Sequence, residues 1–162
     1  MSGLVEFSAD FLRDLVEQAE QSTRRRLHRN IHATYADPVQ RLFNAIGIES
    51  YIRPHRHCAD SKRECLIGIR GRMALIAFDG EGAIEGVHPF GVAPLDAAGV
   101  ELAPEQWHTV VALEPGSILF EVKQGPFDAS AAKEFAPWSP EEGSADALPY
   151  LAALRAAALA DR

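Results

Sequence analysis

The tripeptide His55-Arg56-His57 is where side-chain type and spacing first suggest chemistry in this 162-residue chain. It closes an extended run that begins near Glu49. In a strand, side chains two positions apart share a face, so His55 and His57 aim two imidazoles at one point, with Tyr51 and Arg53 on the same face. Glu64 follows the polar stretch 58–63, which is long enough to loop round and return a carboxylate to that point; Gly71 then turns the chain into a further strand over 73–78. A third imidazole, His108, heads a candidate strand over 108–113. Neutral imidazoles with one carboxylate, leaving positions open, suit a divalent first-row metal ion kept available to water or substrate. His55, His57, Glu64 and His108 are therefore read as the ligands of one divalent transition metal ion. Fe, Mn, Ni, Zn and Co all accept this donor set.

Other residues are ambiguous by pattern. The segment 24–32, Arg24-Arg25-Arg26-Leu27-His28-Arg29-Asn30-Ile31-His32, is either a helix C-terminus whose cations answer the macrodipole or an arm that carries donors over the metal mouth to meet phosphate or carboxylate. Gln40, Leu42, Asn44 and Ile46 share one parity of a candidate strand, but a helix starting after Asp37 with Pro38 in its first turn fits as well. Glu121 shares its parity with Ser117 and Lys123, opposite Ile118, Phe120 and Val122, and so faces either solvent or a polar interior, where a carboxylate is a natural general base. Arg53, if it points inward with the histidines, needs a carboxylate such as Glu121 or a ligand anion beside it.

These groups must be held by larger elements. Leu12, Leu15, Val16 and Ala19 recur at helical spacing after Ser8, predicting an amphipathic helix from Ser8 to about Arg26. Beyond Pro38 the pattern shortens to apolar segments separated by glycine and proline turns, the signature of an all-β sandwich or barrel. An Ala- and Leu-rich tail from about Asp146 to Leu159, with Pro149 in its first turn, predicts a short C-terminal helix. The expected layout is one domain over 1–162: helix and arm over 1–35, barrel over 36–135, loop and helix over 136–162. A net charge of −7 and a pI near 5.3 offer no field for a nucleic-acid backbone or an anionic bilayer. No stretch approaches the roughly 18 apolar residues of a membrane helix, and residues 1–10 lack the features of a signal peptide. The chain is expected in the cytoplasm, with Cys58 and Cys65 as free thiols. Apolar surface on the tail helix and on the stripe of Leu12, Leu15 and Val16 predicts a homodimer.

The segment from His55 through Glu64 to Gly71 resembles the first cupin motif, and Pro104 through His108 the second. More narrowly, Ser50-Tyr51-Ile52-Arg53-Pro54-His55-Arg56-His57, Trp107-His108-Thr109-Val110-Val111-Ala112-Leu113, Glu121-Val122-Lys123-Gln124-Gly125-Pro126-Phe127 and Phe135-Ala136-Pro137-Trp138-Ser139-Pro140-Glu141-Glu142 resemble the WbuC-type cupin-fold metalloproteins. That family is met in bacterial gene clusters for O-antigen and other surface polysaccharides. The chain departs from the general cupin pattern in the longer gap between His57 and Glu64, in Pro104 standing nearer to His108, and in Ala112 where asparagine is usual. The resemblance implies a jelly-roll β-barrel with the metal inside it, favours the strand reading for 40–46, and draws Asn30 and His32 toward the pocket. The resulting expectation is a metal-dependent enzyme acting on a small polar molecule, such as a sugar, an anionic sugar derivative or a sugar-linked intermediate. Glu121 or His32 would move the proton in an isomerisation or epimerisation, and Asn30, Gln40, Asn44, Tyr51 and Arg53 would line the substrate site. An Fe-dependent oxygenase and a non-catalytic metal-and-sugar binding module are the alternatives.

Overall fold

The computed structural model describes residues 3–59, 61–94, 96–128, 130 and 133–160. Helix α1 (Ala9–Gln21) leads into ten strands: β1 (Arg26–Asn30), β2 (Val39–Ile46), β3 (His55–Arg56), β4 (Glu64–Arg70), β5 (Arg72–Phe78), β6 (Ile84–Gly91), β7 (Gly99–Leu102), β8 (Trp107–Ala112), β9 (Ser117–Gln124) and β10 (Glu134–Phe135). Helix α2 (Ala147–Ala160) ends the chain. Two five-stranded sheets form, in the orders β1-β2-β9-β4-β7 and β10-β3-β8-β5-β6, with antiparallel pairing throughout. They face each other as a jelly-roll barrel, and no helix among the described residues is long and apolar enough to cross a membrane.

Helix α1 starts as expected: the Ser8 side chain accepts a hydrogen bond from the Phe11 N–H at 3.2 Å. It stops earlier than the spacing predicts, at Gln21, because Ser22 caps it and the Ser22 hydroxyl takes the Arg26 N–H. Arg24 and Arg26 are therefore not a helix C-terminus, and pairing in the barrel begins at Arg26 rather than after residue 35. Leu15, Val16 and Ala19 bury against Phe43, Ala45 and Ile118 on the outer face of the first sheet. The stripe expected to serve a second copy is thus covered by its own barrel.

The second helix covers the other sheet. Leu151, Leu154 and Ala158 of α2 pack on Ala74, Ile76 and Val111. Both sheets are thereby covered outside and in, which is why β5 and β8 read as continuous apolar runs rather than alternating ones. The alternation is still present in space. Met73, Leu75, Val110 and Ala112 enter the barrel, whereas Ala74, Ile76, Phe78 and Val111 lie under α2. The same double coverage explains the ambiguity at 40–46, which is strand β2. Phe43 meets Phe11 and Phe7 outside at ring distances of 5.3 and 4.9 Å, and Gln40, Leu42, Asn44 and Ile46 face inward.

Candidate metal centre and cavity

One open end of the barrel leads into a cavity of about 470 Å³, within the range of small-molecule sites. Its floor is apolar, built from Ile46, Leu66, Val110 and Leu119. Its walls carry the polar residues of β1, β2, β9, β4, β3 and β8.

The histidines meet there because β3 pairs with β8 and sets His55 opposite His108. Arg56, between the two histidines of the tripeptide, turns outward, forks onto Glu134 at 2.9 and 3.0 Å and stacks on Trp107 at 4.4 Å. That outward anchor aims His55 and His57 in. One ring nitrogen from each of His55, His57 and His108 lies within 4.8 Å of the others, and all three residues are buried. Nδ1 of His55 donates to the Arg53 carbonyl at 2.9 Å and Nδ1 of His108 to the Gln106 carbonyl at 2.8 Å, a tautomer that leaves each Nε2 with its lone pair. Burial, joined by the charge of Lys133, pushes the His55 pKa well below the usual value, and burial pushes that of His108 to about 4, so both are neutral. His55 and His108 thus turn neutral Nε2 lone pairs toward the point that His57 also faces, and a convergent set of three ring nitrogens fits a divalent ion.

Glu64 reaches the same point from β4. Its carboxylate lies 3.1 Å from His57 Nε2 and 3.6 Å from His108 Nε2. It also accepts a 2.8 Å hydrogen bond from Lys123, its cross-strand partner on β9. Burial works against the charge on Glu64, but the contacts with His57, Lys123 and His108 outweigh it and hold the carboxyl well below the usual range. Glu64 therefore arrives as an ionised donor shared between an ammonium and the histidines. Lys123, buried and 3.4 Å from His57 Nδ1, is a member of the centre that sequence reading did not select. Its parity with Glu121 on β9 was the available signal.

Glu121 faces the cavity, not solvent. Burial, reinforced by the nearby Glu64 charge, pushes its carboxyl up to about 7, although Lys133 and Lys123 pull the other way. His32 is buried at the cavity wall with Nδ1 accepting the Arg41 N–H at 3.0 Å, and its Nε2 has no hydrogen-bond partner among the described residues. Asn44 likewise lines the cavity with Oδ1 buried and unpartnered among them. Gln40 also lines it, but its amide N–H groups are engaged with the carbonyls of Tyr35 and Asp37 at 3.2 and 2.8 Å. Asn30 is exposed at the mouth.

Two expectations need correction. Tyr51 does not share the histidine face: it lies in the core under α2, beside Tyr150, with its hydroxyl donating to the Pro140 carbonyl at 2.9 Å. Residues 51–54 are not in a strand, so the two-residue alternation does not extend back to it. Arg53 does line the cavity, but its partner is not Glu121. It donates to Ser139 Oγ and the Ala136 carbonyl, both at 3.2 Å, with Glu141 3.9 Å away.

Neither reading of the arginine run was complete, because both missed Glu142. Arg24 and Arg26 line the cavity and both fork onto this one carboxylate, at 2.6 to 3.0 Å. Burial opposes ionisation of Glu142, yet the two guanidinium groups hold its pKa at about 2. A depressed carboxyl adds stability that is present above its ordinary 4.5 and is lost as the pH falls toward 2. Glu142→Gln is accordingly expected to flatten the acid limb of the melting temperature against pH between those values, as followed by circular dichroism. An unchanged slope would remove this contact from the acid response.

Known structures share the architecture at low identity. A Shewanella oneidensis protein superposes with a TM-score of 0.60 at 11% identity, over 81% of this chain and 85% of that one. A Klebsiella pneumoniae protein with a double-stranded β-helix domain gives 0.56 at 13%, over 84% and 98%. A cupin-2 domain from Rhodospirillum rubrum gives 0.50 at 17%, over 83% and 78%. No curated protein matches the chain. The fold is that of the cupins, and the model of a family described as a domain of unknown function (DUF6016) matches residues 7–89, half of the chain, which therefore belongs to that family.

Proposed function

We propose that this protein is a WbuC-like, metal-dependent cupin enzyme that isomerises or epimerises a small polar molecule in the cytoplasm, a sugar or sugar-linked intermediate of surface-polysaccharide metabolism. The observation that carries the catalytic part is Glu121: a carboxyl pushed up to about 7 opens into the same cavity as three converging histidines. A group that titrates near neutrality can both take and return a proton. A metal ion held by His55, His57 and His108, with Glu64 at its side, supplies polarisation of a substrate carbonyl or of vicinal hydroxyls. Asn44 Oδ1 and His32 Nε2 offer buried hydrogen-bonding positions that suit hydroxyl groups. The substrate class rests on the gene setting of the family that the sequence resembles. In this reading the barrel and both helices act as one domain and pair as a homodimer through the outward face of α2, where Leu148 and Leu159 are exposed. A sedimentation mass of one chain at micromolar concentration would rule the dimer out.

The test starts with metal analysis of untagged protein. The metal-loaded protein is then incubated anaerobically in D₂O with nucleotide sugars, free sugars and small keto acids. The expected result is turnover with solvent deuterium appearing in the product, lost in Glu121→Gln while metal content is unchanged. Product formation that requires and consumes O₂ would replace this reading with an Fe-dependent oxygenase, and a ligand bound and returned without deuterium would leave a binding module.

A further inference from the structure

Among the described residues, five cationic side chains line the cavity, against three carboxyl groups. Four of the cations already have partners within the chain. Arg24 and Arg26 share Glu142, Lys123 donates to Glu64, and Arg53 is tied to Ser139 and the Ala136 carbonyl with Glu141 nearby. The fifth, Lys133, has no hydrogen bond or ion pair with the described residues. Its placement follows from β10. Glu134 turns outward to Arg56, so its neighbours Lys133 and Phe135 turn inward, and both line the cavity. Phe135 is the cross-strand partner of His55, which sets the Lys133 backbone beside the strand that carries the metal histidines.

The charge balance at this place is opposite to that of the whole protein. The chain carries −7, yet the described lining of its cavity has an excess of cations before any divalent ion is added. The Lys133 ammonium feels the Glu121 and Glu64 carboxyl groups but has no hydrogen bond or ion pair to either, so it gains from an anion that also reaches the histidines. We propose that the molecule entering the cavity is an anion, bearing a carboxylate or a phosphate group, and that Lys133 is the residue that recognises its charge. This rests on the reading of the cavity as a metal-dependent small-molecule site. Arg53 has the lesser part: its hydrogen bonds hold the 136–139 turn, whereas the Lys133 ammonium makes no hydrogen bond with the described residues.

The experiment uses two probe pairs on metal-loaded full chain, by isothermal titration: malonate against malonamate, and glycerol 3-phosphate against glycerol. At least one charged probe is expected to bind about 10-fold tighter than its less charged mate, and the pair showing this assigns carboxylate or phosphate. In Lys133→Met the preference should fall to within about twofold, and Lys133→Arg should retain most of it. Lys133 is exposed at the mouth, so neither change threatens the core. Absence of preference in both pairs, or a preference that survives Lys133→Met, overturns the proposal. Metal content is measured on the same samples. A charge preference in protein that takes up no metal would sink the metal-dependent reading and leave Lys133 standing, whereas metal uptake without preference does the reverse.

Discussion

Replacing His57 with alanine is expected to empty the metal centre while leaving the barrel folded. The three imidazoles converge within 4.8 Å, and removing one leaves two ring nitrogens and a carboxylate that Lys123 already holds. Changes to groups that merely support a ligand lower metal affinity by roughly 10- to 100-fold, and loss of a ligand itself should exceed that. The fold does not depend on this side chain. The apolar layer beneath the cavity, with Met73, Leu75, Phe90 and Leu119, is formed without it, and the Lys123 to Glu64 ion pair survives the substitution. Glu64→Gln is expected to cost less, about 10-fold, since water can replace the carboxylate and Lys123 keeps an amide oxygen as acceptor. Metal analysis after dialysis, with thermal melting in the presence and absence of chelator, checks both. Stoichiometric metal in His57→Ala would show that the ion is held elsewhere, and wild-type affinity in Glu64→Gln would remove Glu64 from the ligand set.

The largest effect on stability is expected at Gly68. Strand β4 of the first sheet and β6 of the second approach so closely that a Cβ on Gly68 would overlap the Cα of Gly91. Gly91 itself holds a φ of 151° and packs on the Gly71 carbonyl, so neither backbone has room to withdraw. Gly68→Ala therefore pushes the sheets apart where they close, and about 3 kcal/mol of destabilisation is expected from overpacking of this kind. In a domain of this size that is a fall in melting temperature of roughly 10 °C. The same strand carries Glu64 and Leu66 into the cavity, so the variant should also bind metal more weakly than wild type. Melting followed by circular dichroism decides it: a change of no more than a degree or two would mean that the sheets separate there at little cost.

The histidine site was legible because its determinants are local. A two-residue period states which side chains share a face, so His55 and His57 were paired by spacing alone, and the helical stripe of Leu15, Val16 and Ala19 was readable for the same reason. Local spacing does not state which face is the inner one. Glu121 had equal claims to solvent and interior until β9 was paired between β2 and β4. Nor does spacing say how far a strand runs, which is why Tyr51, outside β3, left the face it was assigned to.

Counting along the chain picked out the candidate ligand types, the β architecture and the helices at either end, since each of these is written in neighbouring residues. Tertiary structure alone decided the company they keep: Lys123 against Glu64 across two strands distant in sequence, Glu142 under the guanidinium groups of Arg24 and Arg26, and Lys133 turned in at the rim. The physical reason is that charge pairing in a low-dielectric cavity depends on distance through space, which long-range strand register sets and sequence separation does not encode.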